Sequence, residues 1–245
     1  MLCRRVVDAP HRSRRPPIAS LHMTAFWILV ALAAAASVVD WVAVARDDRR
    51  TEYVAKPAVL VALTLAAAVL PADHTDLVDR KWWFVAALAC CLLGDVLLML
   101  PRDLFVPGLV SFLAGHVLYI VGLLQPPSPP GNPPFAFSTT GLIVATVVVV
   151  VAAAVPVFWI FRALLRDGHS GLIAPVAVYL VAIATMAVLA ANVGVLAAAV
   201  GAGLFVVSDT VLALRRFVTP FRHGNVIVHV TYHLAQGLLV LSLLH

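Results

Sequence analysis

Charge is what this sequence has least of. Only 12% of its 245 residues are Asp, Glu, Lys or Arg, about half the share in a soluble globular domain. With 62% hydrophobic residues and a mean hydropathy of +1.01, that shortage excludes a water-soluble domain. Cysteine is scarce as well. Of the three, Cys90 and Cys91 are neighbours in one apolar run and Cys3 lies near the start. They do not make a disulfide framework and read as small apolar filler. The first twenty residues, "MLCRRVVDAPHRSRRPPIAS", lack the apolar core of a secretory signal. Five arginines and two adjacent prolines there predict a disordered leader over 1–22, with Met23 as a possible start codon and a membrane domain over 23–245. A pI near 9.6 invites a nucleic-acid reading. The Arg and Lys residues lie almost wholly between apolar blocks, however, which excludes nucleic acid as the partner and points to charges that orient the chain in a bilayer.

What the chain does have is long apolar runs. Windows of about 19 residues give eight predicted spans, at 24–45, 54–71, 84–100, 104–124, 139–161, 171–191, 193–214 and 226–244. The expected fold class is all-α, a polytopic bundle of eight transmembrane helices. The longest connection, "QPPSPPGNPPFAFS" (125–138), is Pro-rich and uncharged, a stiff linker rather than a domain.

Counting cations orients the bundle. The side opposite the N-terminus holds Arg46, Arg49, Arg50, Lys56, Arg102, Arg162, Arg166, Arg215, Arg216 and Arg222. The N-terminal side holds Arg80 and Lys81, besides the leader arginines. The positive-inside rule therefore predicts a multi-pass protein of a bacterial cell membrane, with the Arg-rich odd-numbered loops cytoplasmic.

Two apolar runs contain a carboxylate: "LLGDVLLML" (92–100) holds Asp95 and "VVSDTVLAL" (206–214) holds Asp209. An aspartate at a helix centre costs about 2.5–3.5 kcal/mol on insertion scales. Such residues face the bundle interior and mark ion paths, proton relays or active sites, or else fix helix packing by hydrogen bonds. The local match extends further. Asp95 precedes Tyr119, and Asp209 precedes Tyr232, by nearly equal intervals, and Pro57 has a counterpart in Pro175. The pattern predicts a parallel 4+4 internal repeat about an axis along the membrane normal. Each aspartate lies roughly 7.5 Å from the cytoplasmic end of its span.

The same depth arithmetic brings Lys56, Ser111, Tyr179, Ser208, His229 and Tyr232 near that end, with His116, Tyr119 and Gln236 deeper. His229, Tyr232, His233 and Gln236 share one helical stripe. Arg102, Arg215 and Arg216 are expected at the rim of such a pocket, either meeting a phosphate or serving as ordinary loop charges.

At these residues the sequence resembles the YhhN-type lysoplasmalogenases, eight-span membrane proteins that hydrolyse the vinyl ether bond of lysoplasmalogens. The likeness is carried by Lys56-Pro57, "GDVLLM" (94–99), "SFLAGHVLYI" (111–120), "PVAVY" (175–179) with Met186, "GAGLFVVSDTVLA" (201–213) and "TYHLAQ" (231–236). His233 departs from the pattern, where a second aromatic is expected. The resemblance implies a lysophospholipid substrate with an ethanolamine or choline head group and no cofactor. Asp95 and Asp209 fit acid/base catalysis, with their order left open. Lys56, Ser111, His116, Tyr119, Tyr179, Ser208, Tyr232 and Gln236 are read as supporting residues.

Two other classes fit parts of the pattern. Paired midspan acids in a repeat also occur in proton-coupled transporters, although sites there sit nearer the midplane. His229 and His233, four residues apart, have the spacing of zinc ligands in a metal-dependent lipid hydrolase, an aspartate or His116 completing the set.

Overall fold

Apolar stretches of about 20 residues satisfy their backbone polar groups only by coiling, and the chain does so throughout. The computed structural model describes residues 17–71, 75–125 and 138–244. Its main elements are α1 (Pro17–Ala45), α2 (Arg49–Val69), α3 (Thr75–Met99), α4 (Phe105–Leu124), α5 (Thr139–Arg166), α6 (Ile173–Asn192), α7 (Leu196–Ala213) and α8 (Gly224–Leu241). A π-helical turn, Leu214–Val218, continues α7. All eight helices are long and apolar enough to cross a membrane, and the chain is a multi-pass membrane protein.

The ends of the helices have local causes. Helix α1 is described from Pro17, earlier than expected. The expected leader therefore contributes its last six residues, 17–22, to a helix. Its remaining residues, 1–16, lie outside the described residues, as does most of the Pro-rich linker (126–137). Asp48 caps α2, accepting from the backbone N–H groups of Arg50 and Thr51. The Thr51 hydroxyl holds the Asp48 carboxyl below its usual range. Between α6 and α7 the chain turns at Gly194, whose φ of +73° is open to glycine and costly for other residues. The predicted 193 boundary thus falls at a turn.

Consecutive helices pair as hairpins: α1 with α2, α3 with α4, α5 with α6 and α7 with α8. Glycines line the α3–α4 seam and let the two helices approach closely. A Cβ on Gly94 would meet the Phe112 ring at 2.6 Å, and one on Gly115 would meet Cys91 Sγ at 2.8 Å. Helix α8 is central, packing on α7, α1 and α2. Helix α5 is peripheral. It packs on α6 and on the π turn, with at most slight contact to α4, and exposes Val144, Val147, Val148, Val151 and Val155. Those valines form a lipid-facing surface, as apolar side chains outside a membrane bundle should.

Candidate active site

Helix α3 carries Asp95 to a position 1% exposed, where Lys56 Nζ of α2 lies 3.0 Å from its Oδ1. Tyr232 of α8 donates its hydroxyl to Oδ2 at 2.8 Å. A carboxylate this deep in a bundle requires such compensation. Asp209 of α7 has different company. Tyr179 of α6 donates its hydroxyl to Oδ2, and His116 Nε2 of α4 stands 3.8 Å away. No Lys or Arg forms an ion pair with Asp209 among the described residues. His116 is held edge-on between the rings of Tyr179 and Phe205.

Both aspartates border one polar cavity of about 230 Å³, together with Lys56, Ser208, His229 and Tyr232. Its mouth is formed by Asp47, Arg49, Glu52, Tyr53 and Asn225. A second, apolar cavity lies between α4, α5, α6 and α7, with Tyr179 and Asp209 in its wall.

The remaining expected site residues fall elsewhere. Ser111 borders neither cavity: its hydroxyl donates to the Cys90 carbonyl at 2.8 Å and ties α4 to α3. Tyr119, fully buried, donates to Gln236 Oε1 at 2.6 Å and links α4 to α8 below the site. Ser208 donates to the Val228 carbonyl at 3.1 Å while bordering the polar cavity. The expected arginine rim also differs. Arg216 bonds Asp103 at 2.6 Å, holding that carboxyl below its usual range, because the π turn swings it toward the α3–α4 loop. Arg215 packs beside Gly224. Among the described residues, neither these arginines nor Arg102 borders the polar cavity; Arg49 does.

One buried acid escaped the sequence reading. Asp40 of α1 is 0% exposed, with its Oδ2 at 2.7 Å from His229 Nδ1 and 3.7 Å from His233 Nδ1. His229 Nε2 then faces Glu52 Oε1 at 3.8 Å beside the polar cavity. The signal was present, since "SVVDWVAVA" puts an aspartate in an apolar run at the offset of the other two. The histidine pair is thereby turned toward Asp40, whereas His116 stands by Asp209. Among the described residues no three His, Cys, Asp or Glu side chains are placed to hold a metal ion.

A helical membrane bundle with two carboxylates on one polar cavity, each bonded to a tyrosine and one to a lysine, defines a class of intramembrane site suited to proton transfer. Comparison narrows the class: the YhhN family profile matches residues 51–243, and the chain belongs to that family. It is similar to the lysoplasmalogenase TMEM86B of Sus scrofa, with 32% identity covering 64% of this chain and 61% of that protein. The human TMEM86B lysoplasmalogenase is 31% identical over 64% and 62%. The lysoplasmalogenase of Mycobacterium bovis is 30% identical over 66% and 60%. The chain thus spans about three fifths of the length of these curated relatives. No solved structure matches it.

Proposed function

We propose that this chain hydrolyses the vinyl ether bond of lysoplasmalogens, releasing a fatty aldehyde and a glycerophospho head group. The relatives' activity supports the reading, and one observation carries it: two intramembrane carboxylates with unlike partners border the same polar cavity.

The unlike partners divide the work. Asp95, bonded to the Lys56 ammonium, is the ionised member. Asp209, whose contacts are a phenol and an imidazole, is the proton donor. Asp209 gives its proton to the β-carbon of the vinyl ether, and the ether oxygen shares the positive charge as an oxocarbenium ion. The Asp95 carboxylate stabilises that ion, as paired carboxylates do in glycoside hydrolysis. Water then adds to the α-carbon and its proton returns to Asp209. Collapse of the hemiacetal breaks the bond to the glycerol oxygen, which leaves with the electron pair and takes the hydroxyl proton. His116 and Tyr179 orient Asp209, and Tyr232 and Lys56 orient Asp95. We place the Arg-rich side, and so the mouth of the cavity, in the cytoplasm.

Detergent-purified protein incubated with ethanolamine and choline lysoplasmalogens should release aldehyde. Asp95→Asn and Asp209→Asn should each lower kcat by about 100-fold or more, since Asn preserves shape but neither transfers a proton nor carries charge. Near-normal turnover in either variant removes that residue from the mechanism.

A further inference from the structure

We propose that the apolar cavity beyond Asp209 holds the single hydrocarbon chain of the substrate, and that the chain enters it from the bilayer between α4 and α5. The inference rests on the lysoplasmalogenase reading for the identity of the lipid, but not for the site itself.

Three observations converge on it. First, the two cavities meet at the catalytic carboxylate: Asp209, Phe112, Leu98 and Leu212 border both. The polar side offers Lys56, Arg49 and Glu52, whereas the apolar side offers Val149, Ala153, Ile183 and Ala184. A 1-alkenyl lysolipid changes from polar to apolar at its vinyl ether. A lipid laid across both cavities therefore brings its scissile bond to Asp209, with the β-carbon on the apolar side.

Second, α5 is built as a wall for this cavity. Val149, Ala153, Pro156, Val157 and Ile160 fall on one helical face. All are at least partly buried and all border the cavity, while the opposite face is exposed. Pro156 has no N–H to give the Ala152 carbonyl and its ring crowds that carbonyl, which bends a helix at this level.

Third, the wall is not sealed on its α4 side. Helix α1 packs along α8, but α5 has at most slight contact with α4. Near the cytoplasmic end the gap is closed by Ile160, Leu164 and Val176 with Leu109 and Phe217. Deeper, Ala153 and Val149 are only partly buried, and the proposed entry lies at that level. From Val176 to Ala184 the cavity follows α6 for about 12 Å, parallel to the chains of the surrounding leaflet. A lysolipid thus slides in sideways without turning over.

The test uses the full chain with a non-hydrolysable 1-alkyl lysophosphoethanolamine that carries a photoactivatable diazirine partway along its chain. Adducts are expected on Val149, Ala153 or Ala184. Adducts confined to the lipid-facing Val150, Val151 and Val155 overturn the proposal. Ala153→Trp should remove the inner adducts and lower kcat/KM about tenfold or more for a long-chain alkenyl lysolipid, while leaving a short-chain analogue within about threefold. Equal loss on both lipids, or loss on neither, overturns it too. Crosslinking requires no turnover. Protein that captures the probe in the groove yet releases no aldehyde from lysoplasmalogen therefore sinks the hydrolase reading and leaves the chain site standing.

Discussion

Asp40 and His229 meet at 2.7 Å across the α1–α8 seam, and the aspartate has no exposed surface. Neither residue can lose the other without leaving a polar group stranded in the interior. Asp40→Ala should therefore lower stability by about 1–3 kcal/mol, whereas Asp40→Asn, which keeps an acceptor, should recover most of it. Thermal melting in detergent checks the difference, and an unchanged Asp40→Ala midpoint refutes it. Lys56 and Asp95 pose the same question with two charges. Lys56→Met strands a buried carboxylate and should cost about 3–5 kcal/mol. The double variant Lys56→Met/Asp95→Asn removes both charges and should melt near the wild-type temperature while remaining inactive. If the double variant melts as low as the single, the pairing energy lies elsewhere.

Helix ends inside a bundle must also be satisfied, and two cations that read as loop charges perform that task. Lys81 is 9% exposed and donates to the carbonyls of Ala68 and Leu70 at 3.2 and 3.0 Å, closing the end of α2. Arg80 donates to the Gln125 carbonyl at 2.9 Å at the end of α4. Cations at helix C-termini also complement the dipole. Lys81→Leu should lower stability by about 1–3 kcal/mol, seen as an earlier melt with kcat of the remaining folded protein unchanged. A melt at the wild-type temperature shows those carbonyls satisfied without it. Arg80 and Lys81 thus have structural roles, as do Lys56 and Arg216 on the opposite side, and the cation asymmetry toward that side stands.

For the whole molecule, that asymmetry makes a topological prediction. A reporter inserted in the α3–α4 loop should read as cytoplasmic, and one fused after residue 245 as outside the cytoplasm. Reversal of both signals inverts the proposed orientation and moves the site to the other leaflet. The order of helix packing bears on the predicted repeat. Pairings α1–α2, α2–α3 and α3–α4 recur as α5–α6, α6–α7 and α7–α8, and α4–α6 has a counterpart in α8–α2. Consecutive pairings are common to any up-and-down bundle, and the packing of α1 on α8 has at most a slight counterpart between α5 and α4. The surroundings of the two acids differ: Asp95 has a lysine partner, and Asp209 has none among the described residues.

The class of protein and its eight spans were legible in the sequence, because hydropathy adds up residue by residue along a segment and needs no knowledge of neighbours. Asp95 and Asp209 were legible for the same reason, since a carboxylate in an apolar run is anomalous wherever the run is placed. Asp40 gave that signal as well, in an apolar run of α1. Which group meets which acid belonged to the tertiary structure. His229 finds Asp40 across 189 positions of sequence, and Tyr232 finds Asp95 across 137. Each residue step turns a helix by about 100°, so the face a side chain occupies follows from sequence, but the helix that face meets does not. Ser111 and Arg216 had suitable chemistry at suitable depth, and the close α3–α4 seam and the π turn directed them to other partners. The meeting of a polar and an apolar cavity at Asp209 is likewise a property of how α2, α3 and α8 pack on one side of α7 and α4, α5 and α6 on the other, and no one helix contains it.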